Sequence, residues 1–130
     1  MIVVDASVLA PALGDDGDSG DAARARLRGE RMFAPELIDL EVVSVYRRQL
    51  AAGHLTTDRA ETALADLAEL PVRRAAHRGL LGRCWELRSN LTPYDAAYVA
   101  LAEALGAVLV TADGPLSRAP GIRCSVEVLR

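Results

Sequence analysis

Apolar residues along this chain follow two rhythms: short unbroken runs, and longer stretches in which they recur every three or four positions. Ile2-Val3-Val4 and Ala107-Val108-Leu109-Val110-Thr111 are runs of the first kind. A continuous run rich in branched side chains, apolar toward both faces, reads as a strand buried inside a parallel sheet. Met32-Phe33-Ala34, Val72 with its neighbours, and Ile122 to Val126 are further candidate strands, the second of them interrupted by Arg73 and Arg74. Helical patterns fill the intervals. Ser7 to Leu13 predicts a short helix, ended by the turn-rich segment Gly14-Asp15-Asp16-Gly17-Asp18. Over residues 19–28, Ala22, Ala23 and Leu27 are expected to face inward and Arg24, Arg26 and Arg28 outward. Pro35 is expected to open a long helix that reaches about residue 52 and closes at Gly53. Thr56 or Thr57 caps the next helix, which continues through Ala60, Leu64 and Leu67 to Leu70 and stops at Pro71. Another helix is expected from Arg78 to Ser89. Thr92-Pro93-Tyr94-Asp95 is a strong helix start, with Thr at the cap, Pro in the first position and Asp in the third; Gly106 closes that helix after Leu105. A short helix near 115–119 precedes the last strand. Strands alternating with helices predict one α/β domain of three layers, a mainly parallel central sheet flanked by helices.

Composition narrows the chemistry. In 130 residues, 51% are hydrophobic, enough for a sizeable core, and 4% are aromatic, too few for a base-stacking platform of the kind that binds single strands. A net charge of −3 argues against non-specific coating of nucleic acid. The charge is unevenly spread: Asp5, Asp15, Asp16, Asp18 and Asp21 precede any basic residue, whereas Arg73, Arg74, Arg78, Arg83 and Arg88 crowd one later stretch. All 15 basic residues are arginine. Without lysine, a Walker-type phosphate loop and Schiff-base catalysis are excluded. Cys84 and Cys124 match no zinc spacing and are expected to be reduced core thiols. No signal peptide or membrane-length apolar stretch is evident, so a soluble, cytoplasmic protein is expected.

Four carboxylates are the candidate chemistry. In open parallel sheets, ligands bind beyond the carboxyl ends of the strands. Asp5 ends the first strand and Asp113 follows the strand 107–111. Each has an ordinary structural role available, Asp5 as a helix cap and Asp113 in an Asp-Gly-Pro turn. Asp95 would form a capping box with Thr92, a role compatible with ligation because a helix N-terminus keeps an aspartate ionised and oriented. Glu41 is harder to explain. Its helical neighbours are Leu37, Ile38, Ser44 and Val45, so its carboxylate is not on a solvated face and requires a cation, an arginine or a hydrogen-bond donor. Glu36 and Asp39 are expected at the surface. Four converging acids repel one another, and the hard divalent cations Mg²⁺ or Mn²⁺ would hold them together; zinc would want His or Cys. His54 and His77 lack ligand spacing and are expected at the surface. Asp15 to Asp21 does not match a calcium-binding loop, and no serine-hydrolase elbow is present.

The segments Ile2-Val3-Val4-Asp5-Ala6-Ser7, Pro35 to Val42 around Glu41, Thr92 to Ala102 around Asp95, and Val110-Thr111-Ala112-Asp113 together resemble a PIN domain, and more narrowly the VapC-type toxins of bacterial toxin–antitoxin pairs. The resemblance spans the chain and is weakest over residues 54–90. It implies a PIN-like fold, Mg²⁺- or Mn²⁺-dependent cleavage of RNA (transfer or ribosomal), homodimerisation, and neutralisation by a cognate VapB-type antitoxin. It makes Asp5, Glu41, Asp95 and Asp113 the catalytic and metal-holding acids, with Ser7 and Thr111 at lesser positions beside them. Arg73, Arg74 and Arg78 are candidate contacts to the RNA backbone. Two other readings fit these residues less well. A PIN-like binding module without turnover would have no need of Glu41 in an apolar stripe. An aspartyl-nucleophile phosphatase would want a second aspartate where Ser7 stands.

Overall fold

All three residues of strand β1 (Ile2–Val4) are buried, which requires protein on both faces and a neighbour along each edge. In the computed structural model, which describes residues 1–130, β1 is the middle strand of a five-stranded, wholly parallel sheet. The other strands are β2 (Met32–Pro35), β3 (Val72–Ala75), β4 (Val108–Thr111) and β5 (Val126–Val128), in the order β3-β2-β1-β4-β5. Register is set by the apolar runs, with Ile2, Val3 and Val4 opposite Val108, Leu109 and Val110.

Parallel strands need crossovers, and helices supply them. These are α1 (Ala6–Gly14), α2 (Asp18–Leu27), α3 (Ile38–Ala51), α4 (Thr57–Glu69), α5 (Leu81–Glu86), α6 (Pro93–Leu105) and α7 (Gly114–Ser117). One group gathers α2, α3 and α4 around α1; in the other, α6 packs across β1, β2 and β4 with α5 beside it. Seven consecutive residues of α6, Ala96 to Ala102, are buried, so this helix is enclosed nearly all round. A contiguous cluster of 31 buried apolar residues joins sheet and helices into one core. No helix is long and apolar enough to cross a membrane.

Helix ends follow the expected signals where local chemistry dominates. Thr56 and Thr92 cap α4 and α6 by accepting the amides of Arg59 and Asp95, both at 3.2 Å. Gly106 closes α6 with φ of 62°, a left-handed conformation that disfavours a side chain. Elsewhere tertiary contacts move the boundaries. Pro35 ends β2 instead of opening a helix. Pairing with β1 stops at Phe33, so the missing Pro35 amide removes no bond from that ladder, and α3 begins three residues later. The helix expected over 78–89 is a 3₁₀ turn (Arg78–Leu80) followed by the short α5, a segment weakened by Gly79 and Gly82. The last strand is shifted to Val126–Val128. Over 122–125 the amide of Arg123 bonds the Glu103 carboxylate at 2.7 Å rather than a neighbouring strand.

The arginines expected on the outer face of α2 are not all free. Arg24 folds back to the carbonyls of Ala12 and Asp15, and Arg26 grips Glu127 and Glu30; Arg28 alone of the three is exposed. Ala22 is only half-buried, while Ala23 and Leu27 are in the core. His77 is also drawn inward. Its Nε2 accepts the Leu37 amide at 3.0 Å, bracing the turn into α3, whereas His54 is exposed as expected. Cys84 and Cys124 are free and half-buried.

Candidate active site

The chain leaves β1 for β2 and β3 on one side, then returns to β4 on the other. Successive connections therefore diverge at the carboxyl ends of β1 and β4, which is where an open parallel sheet forms a crevice. Asp5 is the first residue beyond β1, and Asp113 lies two residues beyond β4. Glu41 enters from the first turn of α3 and Asp95 from the first turn of α6. All four line one cleft of about 220 Å³, together with Ser7, Ser44, Val45, Arg48 and Tyr98.

Asp5 is the most enclosed of the four, at 8% exposure. It is the cap of α1: Oδ1 accepts the Ser7 amide at 3.1 Å and the Ser7 hydroxyl at 2.5 Å. Oδ2 accepts the Thr111 hydroxyl at 2.5 Å. Thr111 Oγ1 in turn accepts the Asp113 amide at 3.0 Å, so one buried hydroxyl ties the ends of β1 and β4 together. Ser7 does the same from its side, since its hydroxyl accepts the Ala112 amide at 2.8 Å. Burial pushes the Asp5 carboxyl above the usual carboxylate range, and these donors pull it partway back.

Glu41 has a definite partner, and it is not an arginine. The Tyr98 hydroxyl, on a side chain only 2% exposed, donates to Glu41 Oε1 at 2.6 Å. Burial pushes the Glu41 carboxyl up, the tyrosine opposes this, and the charges of Asp95 and Asp5 push it up further. Asp95 is raised by burial and by the Asp113 charge. Its capping box is only half made. Thr92 accepts the Asp95 amide, but no reciprocal bond from the Thr92 amide to the carboxylate forms.

Burial is the main cause that raises Asp5, Glu41 and Asp95, and neighbouring acids raise Glu41 and Asp95 further, so the protein leaves their ionised forms only partly compensated. Carboxylate oxygens are the donors that hard divalent cations take, so donor chemistry and charge both fit such an ion. The spacing is open: no three of the acids approach closely enough to form a closed ligand set by themselves.

Tyr98 and Arg48 also line the cleft, although neither stands out in the sequence as a site residue. Both follow from helical spacing, Tyr98 three residues after Asp95 and Arg48 seven residues, two turns, after Glu41. The predicted RNA-contacting arginines separate. Arg74 is committed within the fold, its guanidinium bonding Asp39 and the carbonyls of Leu67, Leu70 and Val72, which leaves it no free face for a phosphate. Asp39 is therefore paired rather than solvated, whereas Glu36 is exposed. Arg73 and Arg78 are exposed.

Comparison with known proteins places these features in a family. Residues 2–122 match the PIN domain. A VapC ribonuclease of Mycobacterium bovis is 43% identical over 99% of this chain and 98% of its own. Ribonuclease VapC1 of Mycobacterium tuberculosis is 39% identical over 98% of this chain and 97% of its own. Among solved structures, Mycobacterium tuberculosis VapC20, a sarcin–ricin loop cleaving toxin, superposes with a TM-score of 0.73 at 18% identity, over 95% of this chain and 97% of that one. A protein of Pyrobaculum aerophilum gives 0.69 at 25% identity, over 98% of this chain and 83% of its own. A parallel sheet that collects acids from four separate elements at its switch point, with relatives of this identity across nearly the full length, makes the chain a member of the PIN-domain family, of the VapC type.

Proposed function

We propose that this chain is a metal-dependent endoribonuclease, the toxin of a toxin–antitoxin pair, which hydrolyses RNA phosphodiester bonds in the cleft formed by Asp5, Glu41, Asp95 and Asp113. The observation that carries the reading is the convergence of these acids, three of them raised by burial and two of these further raised by neighbouring acids, in a relative of VapC ribonucleases. Asp5, Asp95 and Asp113 would hold Mg²⁺ or Mn²⁺, with water completing a ligand set that the protein leaves open. When bound, such a cation supplies Lewis acidity, favouring ionisation of a water and stabilising negative charge on the phosphate.

The protein's own groups have separable tasks. Ser7 and Thr111 fix both oxygens of Asp5, so its direction does not depend on solvent. Tyr98 holds Oε1 of Glu41 and leaves Oε2 without a hydrogen-bond partner in the protein, so this cleft-lining carboxylate is suited to orient the attacking water and accept its proton. In the reaction the water oxygen bonds to phosphorus, one phosphorus–oxygen bond to a ribose breaks, and the departing oxygen takes up a proton. Exposed Arg73 and Arg78 are available to the RNA backbone outside the cleft. A homodimer, transfer or ribosomal RNA as substrate, a cytoplasmic setting and a VapB-type antitoxin complete the proposal.

The test is inducible expression with and without the adjacent small gene, with mapping of RNA ends, and cleavage assays on purified protein in EDTA and after adding Mg²⁺ or Mn²⁺. Growth arrest relieved by the neighbour, and cleavage lost in Asp95→Asn while its circular dichroism is unchanged, are expected. A folded Asp95→Asn protein that still cleaves RNA, or full activity in EDTA, overturns the reading.

A further inference from the structure

Four acids in a cleft are a poor receptor for RNA, because each further phosphate must approach the same negative field. The walls of this cleft contain one cation, Arg48. Arg24, Arg26, Arg59, Arg74 and Arg83 are all consumed in ion pairs; Arg48 is in none. The only hydrogen bond its side chain makes within the protein is from Nη1 to the Ser44 hydroxyl at 2.9 Å, one turn back along α3. Of the five N–H donors of a guanidinium, that leaves Nε and Nη2 unused, the pair that grips an oxyanion in a fork. The side chain is exposed while lining the cleft, so an incoming strand reaches it without displacing protein.

Its position along the helix matters as well. Glu41, Ser44, Val45 and Arg48 share one face of α3, and seven residues at helical rise separate Arg48 from Glu41 by about 10 Å along the axis. That offset anchors the cation two turns from Glu41, and Arg48 is not among the charges that act on Asp5 or Asp95. A guanidinium there does not neutralise the cluster: it is only the last and weakest of the influences on Glu41. We infer that Arg48, oriented by Ser44, binds a phosphate of the RNA strand flanking the one that is cleaved, and so sets the register of the strand in the cleft.

This inference rests on the proposed ribonuclease reading, and the experiment separates the two. Binding of a fluorescent single-stranded RNA is measured against salt in an Asp95→Asn background, which removes turnover, and cleavage kinetics are measured in the otherwise wild-type protein. Arg48→Ala is expected to weaken binding about tenfold. The slope of log affinity against log salt should become shallower by about 0.7, the contribution of one phosphate contact on a single strand. In the active protein KM rises while kcat changes little, and Arg48→Lys restores the slope but only part of the affinity. An unchanged slope in Arg48→Ala overturns the inference, as does a fall confined to kcat, which would make Arg48 an electrostatic partner of Glu41. RNA that neither binds nor is cleaved by the wild-type protein overturns the ribonuclease reading itself.

Discussion

Removing a single oxygen atom tests whether the Tyr98–Glu41 contact is as important as its geometry indicates. Tyr98→Phe keeps the ring, which is nearly fully buried in α6, and deletes only the hydroxyl that donates to Glu41 at 2.6 Å. A hydrogen bond to a charged group contributes about 1.5–3 kcal/mol, against about 0.5–1.5 kcal/mol for a neutral pair. The half-buried Glu41 has no other hydrogen-bond donor within the protein, so the substitution is expected to destabilise the metal-free protein by about 2 kcal/mol. In a Glu41→Gln background the same deletion breaks a neutral bond and should cost about 1 kcal/mol, leaving a coupling of about 1 kcal/mol between the two positions. Urea unfolding at neutral pH, followed by far-ultraviolet circular dichroism, provides the measurement. Trp85 fluorescence is a poor reporter because that side chain is 68% exposed. A loss below about 0.5 kcal/mol for Tyr98→Phe, or an equal loss in both backgrounds, refutes the assignment of a charge-assisted bond.

Thr111→Val, nearly isosteric, removes the donor to Asp5 and the acceptor for the Asp113 amide and should destabilise by about 2–4 kcal/mol in thermal or urea unfolding; a neutral effect would show that this hydroxyl does not bridge β1 and β4. Gly20→Ala should destabilise by about 2 kcal/mol or more, because its Cβ would lie 1.8 Å from the Asp15 carbonyl oxygen; an unchanged melting temperature refutes that packing at the α1–α2 corner. The cleft acids also predict a pH dependence for metal-free protein. Asp5, Glu41 and Asp95 are raised in the folded state, so their penalty is fully present at neutral pH and is relieved as pH falls through their folded values. Asp16, Glu30, Glu103 and Glu127 are lowered by arginines, and the stability they contribute is lost at still lower pH. Melting temperature should therefore rise on mild acidification before it falls, and a monotonic fall from neutral pH would contradict the burial of the acids.

Much of the fold is written in local chemistry. The runs Ile2–Val4 and Val108–Thr111 are apolar toward both faces, which only a central parallel sheet accommodates. Thr92, Pro93 and Gly106 set the ends of α6 through backbone hydrogen bonds and φ preferences that act within a few residues. Glu41 announces itself because a carboxylate beside Leu37, Ile38 and Val45 needs a partner. What that partner is depends on contacts between elements far apart in the chain. Tyr98 reaches Glu41 across 57 positions, and Thr111 reaches Asp5 across 106. The same holds for errors of placement. Arg74 has the sequence context of a phosphate contact, but Asp39 and three carbonyls claim it once β3 lies beside β2. Pro35 has the context of a helix start, yet the sheet retains it because β1 no longer needs its amide. Sequence alone determined which residues avoid water and where the backbone turns, since burial and dihedral preference are properties of neighbours. The tertiary structure decided which polar groups meet, because hydrogen bonds and ion pairs are formed only when the crossovers have brought distant elements within a few ångströms.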